Sequence, residues 1–324
     1  MAAQLPEITG QGIIFMADPH LAANPPGQRL EGYTAQIMAK IEACLELAGA
    51  RGYLPVILGD LFHWPRENPN SLLVDLIDLF GRYSARGEKA WVLVGNHDKH
   101  QARYTRDVSL AVLEAAGAVK VMSEPGPQFV LNTPAMRVVL GASPDMSPIP
   151  ASYHKSGEEV VIWTAHHGVG FLDYEDKYLK PKELPGIDWL VNGHLHRPQP
   201  PVIKGGTRWI NCGGMSRMRF VRANKERRPW ARIWTPECEA RNDLDYWEVP
   251  FLPFERVFPD QPLPVEEESE AERDSLFLQG LERLAWRRTS QGEGLKQFLQ
   301  ANLNPELPES RIIWELYEEI VNGE

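Results

Sequence analysis

"VILGDLFHWP", residues 56–65, runs from an apolar, β-branched stretch straight into an aspartate and, three residues later, a histidine. The same order recurs in "GIIFMAD" (12–18), "AWVLVGNHD" (90–98), "EVVIWTAHH" (159–167) and "IDWLVNGHLH" (187–196): a short run fit for a buried strand, then acids, amides or histidines at its end. Between the first three runs the period changes. "YTAQIMAKIEACLELAGA" puts Ile37, Ile41, Cys44, Leu45 and Ala48 on one helical face, and "SLLVDLIDLFGRY" does the same with Leu72, Leu73, Leu76 and Leu79. Strands alternating with amphipathic helices predict βαβ units and a sheet covered on both faces, an α/β chain. Further strands are expected at 128–131, 136–141 and 208–211, with "DYWEVPFLPF" (245–254) returning late to the sheet.

With 324 residues the chain has enough length for one large α/β domain and a smaller appendage. The first twelve residues lack the basic start and apolar core of a signal peptide, and no apolar run reaches the ~20 residues of a membrane span. Cys44, Cys212 and Cys238 are widely spaced, which predicts neither a disulfide framework nor a CxxC metal site. A cytoplasmic location with no membrane partner is the expectation. The net charge of −10 is uneven: residues 259–324 hold 15 acids and 6 bases, leaving 29 acids against 28 bases in the body. The overall charge therefore says little about what the body binds.

The polar groups fall into five clusters: "DPH" (18–20), "GDLFH" (59–63), "GNHD" (95–98), "HH" (166–167) and "GHLH" (193–196). Each alone reads as a solvated turn, as do His100 and His154. Ligands of open α/β sheets bind beyond the carboxyl ends of the strands, so a folded sheet would gather all five. Imidazole, carboxylate and amide oxygen suit divalent Mn, Fe or Zn, and the absence of thiolate argues against a structural zinc finger. Seven ligands with two carboxylates suggest two metal ions sharing a bridge. Asp18, Asp60 and a bridging hydroxide offset three of their four charges and leave a balance suited to a phosphodiester anion, with a nucleophile available at neutral pH.

The ordered set D-x-H, G-D, G-N-H-D, H and G-H-x-H, spanning residues 13–196, resembles the calcineurin-like binuclear metallophosphoesterase superfamily. The resemblance implies an αββα sandwich, two mixed β-sheets flanked by helices, with both metals at one edge. One metal would take Asp18, His20, Asp60 and His196, and the other Asp60, Asn96, His166 and His194, with Asp60 bridging. It favours His166 over His167. His97 would approach the scissile phosphate, stabilising charge or protonating the leaving oxygen, and Asp98 would orient it. "GDLFH" resembles more narrowly the Mre11/SbcD branch of DNA-repair nucleases, in which His63 would be a second catalytic group; a supporting or surface histidine is the alternative. "CGGMSR" (212–217) resembles the small-residue turn that follows the last ligands in that branch.

A basic stretch supports a nucleic-acid substrate separately. Residues 204–232 carry nine Lys or Arg and one acid, with Trp209, Phe220 and Trp230 interleaved. Arg208, Arg217, Arg219 and Arg222 are the candidate phosphate contacts, and aromatic faces could stack on unpaired bases; a solvated hairpin with aromatics in the core is the alternative. The expected organisation is a phosphoesterase core at 1–258, an acidic Pro-containing linker at 259–274 and a C-terminal helical extension at 275–324. In the resembling branch, C-terminal helices dock on a Rad50/SbcC-type ATPase, and Leu276, Leu281, Leu284, Ile313, Leu316 and Ile320 would form such a face; packing on their own domain or in a homodimer is the alternative. The functional expectation is a two-metal, Mn²⁺-dependent phosphodiesterase acting on DNA with single-stranded character, as an exo- or endonuclease in repair or processing. The alternative is a hydrolase of small phosphodiesters, nucleotides or pyrophosphates.

Overall fold

A computed structural model describes residues 5–30, 32–85, 87–170 and 179–263, together with Ser310 and Trp314. The chain divides into two compact units, residues 1–264 and 265–324. The expected C-terminal helices and their apolar docking face lie outside the described residues, as does most of the acidic linker.

Two mixed sheets form the first unit. The six-stranded sheet runs β13 (Asp245–Glu248), β12 (Trp230–Trp234), β2 (Gly12–Met16), β3 (Tyr53–Ile57), β4 (Ala90–Leu93), β5 (Val119–Met122). The seven-stranded sheet runs β1 (Glu7–Thr9), β6 (Gly126–Asn132), β7 (Arg137–Ser143), β8 (Val160–Ala165), β9 (Trp189–Asn192), β11 (Thr207–Asn211), β10 (Gln199–Lys204). Helices α1 (Tyr33–Arg51), α2 (Asn70–Ser84) and α3 (Ser109–Ala115) connect the parallel strands β2 to β5, and three short helices follow later: α4 (Arg222–Glu226), α5 (Cys238–Arg241) and α6 (Phe254–Val257).

Strand alternation divides the core. One set of side chains, including Phe15, Val56 and Leu93 from the six-stranded sheet and Phe129, Leu140, Ile162 and Val191 from the other, fills the space between the sheets. The opposite face of the six-stranded sheet packs Ile14, Met16, Ile57 and Val92 against Ile37, Ile41 and Cys44 of α1 and Leu72, Leu76 and Leu79 of α2. These are the apolar stripes visible in the sequence. The outer face of the seven-stranded sheet is covered by Leu184, Ile187 and Val169 from connecting segments. This is the two-sheet architecture, flanked by helices, that the resemblance implied.

The late return to the sheet is shorter than 245–254. It stops at Glu248, because Pro250 and Pro253 bring no N–H for a ladder, and Phe254 already opens α6. β12, which overlaps the end of the basic stretch, joins β2 antiparallel, a role the charge of that stretch concealed. Since β2, β3 and β4 are parallel in one sheet and β7, β8, β9 and β11 in the other, their carboxyl ends lie together along one edge.

Candidate metal centre

Main-chain bonds lock the loops at that edge. The N–H groups of His20 and Leu21 donate to Asp60 O and Leu61 O at 2.9 and 2.8 Å, and His63 N–H donates to Leu21 O at 2.9 Å, zipping the segment after β2 to the segment after β3. Two further bonds end on carboxylates: His97 N–H to Asp60 Oδ1 at 2.8 Å, and His194 N–H to Asp18 Oδ1 at 2.9 Å. To meet these demands Asp18, His20, Asp60 and His194 take positive φ angles of 48°, 49°, 50° and 70°. Each such residue costs on the order of 1–3 kcal/mol, a strain that surrounding structure must hold and that gathers at functional sites. The adjacent glycines are obligatory for space: a Cβ on Gly59 would sit 2.3 Å from His166 Nδ1, and one on Gly95 2.2 Å from Asp60 Oδ1.

Beside a trio of imidazoles, His20, His63 and His97, the side chains converge in two sets that include carboxylates. Asp18, His20, Asp60 and His196 bring ligand atoms within 4.8 Å of one another, and so do Asp60, His166 and His194. Asp60 belongs to both, its Oδ2 lying 3.4 Å from His20 Nε2 and 3.3 Å from His166 Nε2. Asn96 Oδ1 joins the second set, 3.1 Å from His166 Nε2 and 3.0 Å from His194 Nδ1. His166 and His167 separate clearly. His166 is buried and spends Nδ1 on Leu58 O at 2.7 Å, which leaves Nε2 facing Asp60. His167 turns its Nε2 to Ser147 O at 2.6 Å.

The residues present fit a pair of divalent cations. Asp18 Oδ2 is buried without a hydrogen-bond partner, and burial pushes the Asp18 carboxyl up to about 7 against the pull of His166, with Asp60 adding to the rise. Asp60 is pushed up by burial yet held well below the usual carboxylate range by His166 and His97, so the unmet demand for positive charge rests on Asp18. Burial pushes His194 down to about 4 and His196 to about 3, keeping both imidazoles neutral, the form that ligates metal. His20 Nε2 and His196 Nε2 face each other at 2.9 Å. The set contains oxygen and nitrogen only; the three cysteines are buried elsewhere.

Asp98 does not orient His97. Its Oδ2 accepts from Gly95 N–H at 3.0 Å and its Oδ1 from Phe62 N–H at 3.3 Å, so it ties the loop after β4 to the loop after β3. The His97 ring is held instead by the His63 carbonyl, 2.8 Å from Nδ1. The His63 ring stacks on His97 at 5.3 Å and sets its Nδ1 3.5 Å from His20 Nδ1. Burial, aided by His97, pushes His63 down to about 4, which favours its neutral imidazole. Its ring lies against both His20 and His97.

The basic stretch also reads differently in three dimensions. Arg208 lies at the start of β11, at the end of the strand away from the centre, over the Trp189 ring at 4.7 Å and bonded to Asn242 at 2.6 Å. Arg217 is buried, donating to Leu252 O and lying over Phe251 at 5.2 Å. Both guanidinium groups are thus engaged by protein partners. Arg219 and Arg222 are exposed, just beyond the 212–217 turn. The interleaved aromatics belong to the interior: Trp209 Nε1–H bonds Lys182 O at 2.8 Å, Trp230 Nε1–H bonds Cys212 O at 2.8 Å, and Phe220 stacks on Phe254 at 5.6 Å.

The supports of the centre were not expected from the motifs. The 212–217 turn runs beneath it: Gly214 N–H donates to His196 O at 3.0 Å, Met215 N–H to Ala17 O at 2.8 Å and Ser216 Oγ–H to Asp18 O at 3.1 Å. From the other side buried Lys40 donates to Met215 O at 2.7 Å, and Arg227 donates to Gly214 O and Ser216 O. Tyr33 Oη–H reaches His20 O at 2.9 Å. Lys40 did leave a signal, since it interrupts the apolar face of α1 between Ile37 and Cys44.

No curated relative matches the chain. Among solved structures, TT1561 of Thermus thermophilus is 10% identical with a TM-score of 0.43, over 74% of this chain and 100% of that one. A 5′-nucleotidase precursor from the same organism is 17% identical with a TM-score of 0.40, over 84% of this chain and 59% of that one. A predicted phosphoesterase from Streptococcus pneumoniae is 14% identical with a TM-score of 0.30, over 69% of this chain and 81% of that one. The calcineurin-like phosphoesterase family model matches residues 12–198, more than half of the chain and every strand-end cluster from the first acid to the last histidine. By that match the chain belongs to the calcineurin-like phosphoesterase family.

Proposed function

We propose that this phosphoesterase is a Mn²⁺-dependent phosphodiesterase that cleaves DNA, in repair or processing. The observation that supports it most is the sharing of Asp60 by two ligand sets while its second oxygen holds the main chain of His97. Asp18, His20, Asp60 and His196 would hold one ion, and Asp60, Asn96, His166 and His194 the other. When bound, such ions polarise the phosphoryl oxygen and lower the pKa of water enough to supply a nucleophile at neutral pH. The chain's own part is positioning. Asp60 and the His63 carbonyl fix His97 at its main chain and its ring, leaving Nε2 as the atom that meets the phosphate or its leaving oxygen. Exposed Arg219 and Arg222 meet neighbouring phosphates.

Small phosphodiesters are the second reading. The internal engagement of Arg208 and Arg217 favours it, because it shortens the basic track. Purified protein with Mn²⁺ should cleave single-stranded DNA and an aryl phosphodiester, and Asp60→Ala and His97→Ala should lose both activities. Unchanged activity in those variants sinks the assignment. In Arg219→Ala/Arg222→Ala, DNA cleavage should fall with aryl turnover intact; equal retention of both supports the small-substrate reading.

A further inference from the structure

Trp64 follows His63 directly and is 54% exposed. Isolated apolar residues on a surface need no explanation, but this one is set apart by its place. Its ring meets the His63 ring edge-on at 4.7 Å, and His63 in turn stacks on His97 at 5.3 Å with an interplanar angle of 19°. A row of three rings thus leads outward from the centre, with its outermost member open to solvent.

The loop that presents Trp64 is held from both sides. Asn68 Nδ2 donates to Trp64 O and to Ser109 Oγ, each at 2.8 Å, and Ser109 N–H donates to Pro65 O at 2.7 Å. The neighbouring cation, Arg66, is engaged by Asp107 at 2.9 Å and by His100 at 2.5 Å. What this lip offers beside the centre is therefore a fixed aromatic face, with the arginine two residues along the chain already engaged. Keeping an indole in water forgoes the stabilisation its burial would bring, and a planar partner restores it.

From this geometry we infer that Trp64 is the stacking platform for the nucleobase adjacent to the phosphate under attack. It makes the centre selective for phosphodiesters that carry a planar ring. The inference rests on the nuclease reading above and assigns that site a specificity-determining residue. Trp64 is one ring removed from His97, as a base is one sugar removed from its phosphate. Stacking on an aromatic side chain tolerates any base, since every base has a π face.

The test compares oligo(dT) with an abasic oligomer of equal length and charge, as substrates for the full chain with Mn²⁺. Wild type should show the lower KM for oligo(dT). Trp64→Ala should raise that KM about tenfold, with kcat within about twofold, and Trp64→Phe should restore most of it. The abasic oligomer should respond to neither substitution. An oligo(dT) KM unchanged in Trp64→Ala, or raised equally for both oligomers, overturns the inference and leaves the nuclease reading standing. Wild type inert on both oligomers overturns the nuclease reading and this inference with it.

Discussion

Asp60 divides its two oxygens between backbone and centre, Oδ1 to the His97 N–H and Oδ2 toward His20 and His166. Asp60→Asn keeps the size and one acceptor oxygen but removes the charge. It should lower bound metal from about two ions per chain to about one or fewer, as read by elemental analysis after dialysis. His97 lies outside both proposed ligand quartets. His97→Ala should therefore retain metal while lowering kcat for an aryl phosphodiester by roughly 10²–10⁴-fold; metal loss equal to that in Asp60→Asn would make His97 a ligand instead. Asp98 stood beside His97 in the motif and turned out to serve two main-chain N–H groups. Adjacency in the chain named the right loop and the wrong partner.

Among the elements, the 212–217 turn is the support that most needs a partner. It bonds to Ala17, Asp18 and His196 on one side, and on the other depends on Lys40 from α1 and Arg227 from beyond α4. Lys40 is held at its ammonium by one carbonyl, and burial, with Arg227 and Arg217 beside it, lowers its pKa well below the usual lysine range. Lys40→Met fills the space, removes the donor and leaves Met215 O without it. The fold should survive, while metal affinity in a chelator competition falls about 10–100-fold, in the ion taken by Asp18 and His196. Equal loss at both ions, or none, would show that the turn does not set the spacing of those two ligands. The apolar stripes of α1 and α2 behave more simply, because a helix face is set by local period and any apolar sheet surface will receive it.

At the scale of the whole first unit, stability and metal binding are linked. The strained backbone at Asp18, His20, Asp60 and His194 and the buried carboxyl of Asp18, whose Oδ2 has no hydrogen-bond partner, oppose folding without cations. Added Mn²⁺ at a hundred times its Kd should contribute about 2.7 kcal/mol and raise the Tm by about 5 °C or more, and chelator should reverse it. A Tm indifferent to Mn²⁺ in wild type, or raised equally in Asp60→Ala, would contradict this linkage. No helix among the described residues is long and apolar enough to cross a membrane. The buried strands, the two long helices and the clustering of acids and histidines at strand ends are legible along the chain, because they follow from periods of two and 3.6 residues and from where strands must stop. Folding in three dimensions settles which of two adjacent histidines faces Asp60, that Asp98 braces loops, that Arg208 and Arg217 are committed to the protein interior or its far edge, and that Lys40 and Arg227 hold the turn beneath the centre. Those outcomes depend on groups that meet across the two sheets from distant parts of the chain. There a carbonyl or an N–H of the backbone, identical in every residue and invisible as a motif, is the partner that fixes each side chain.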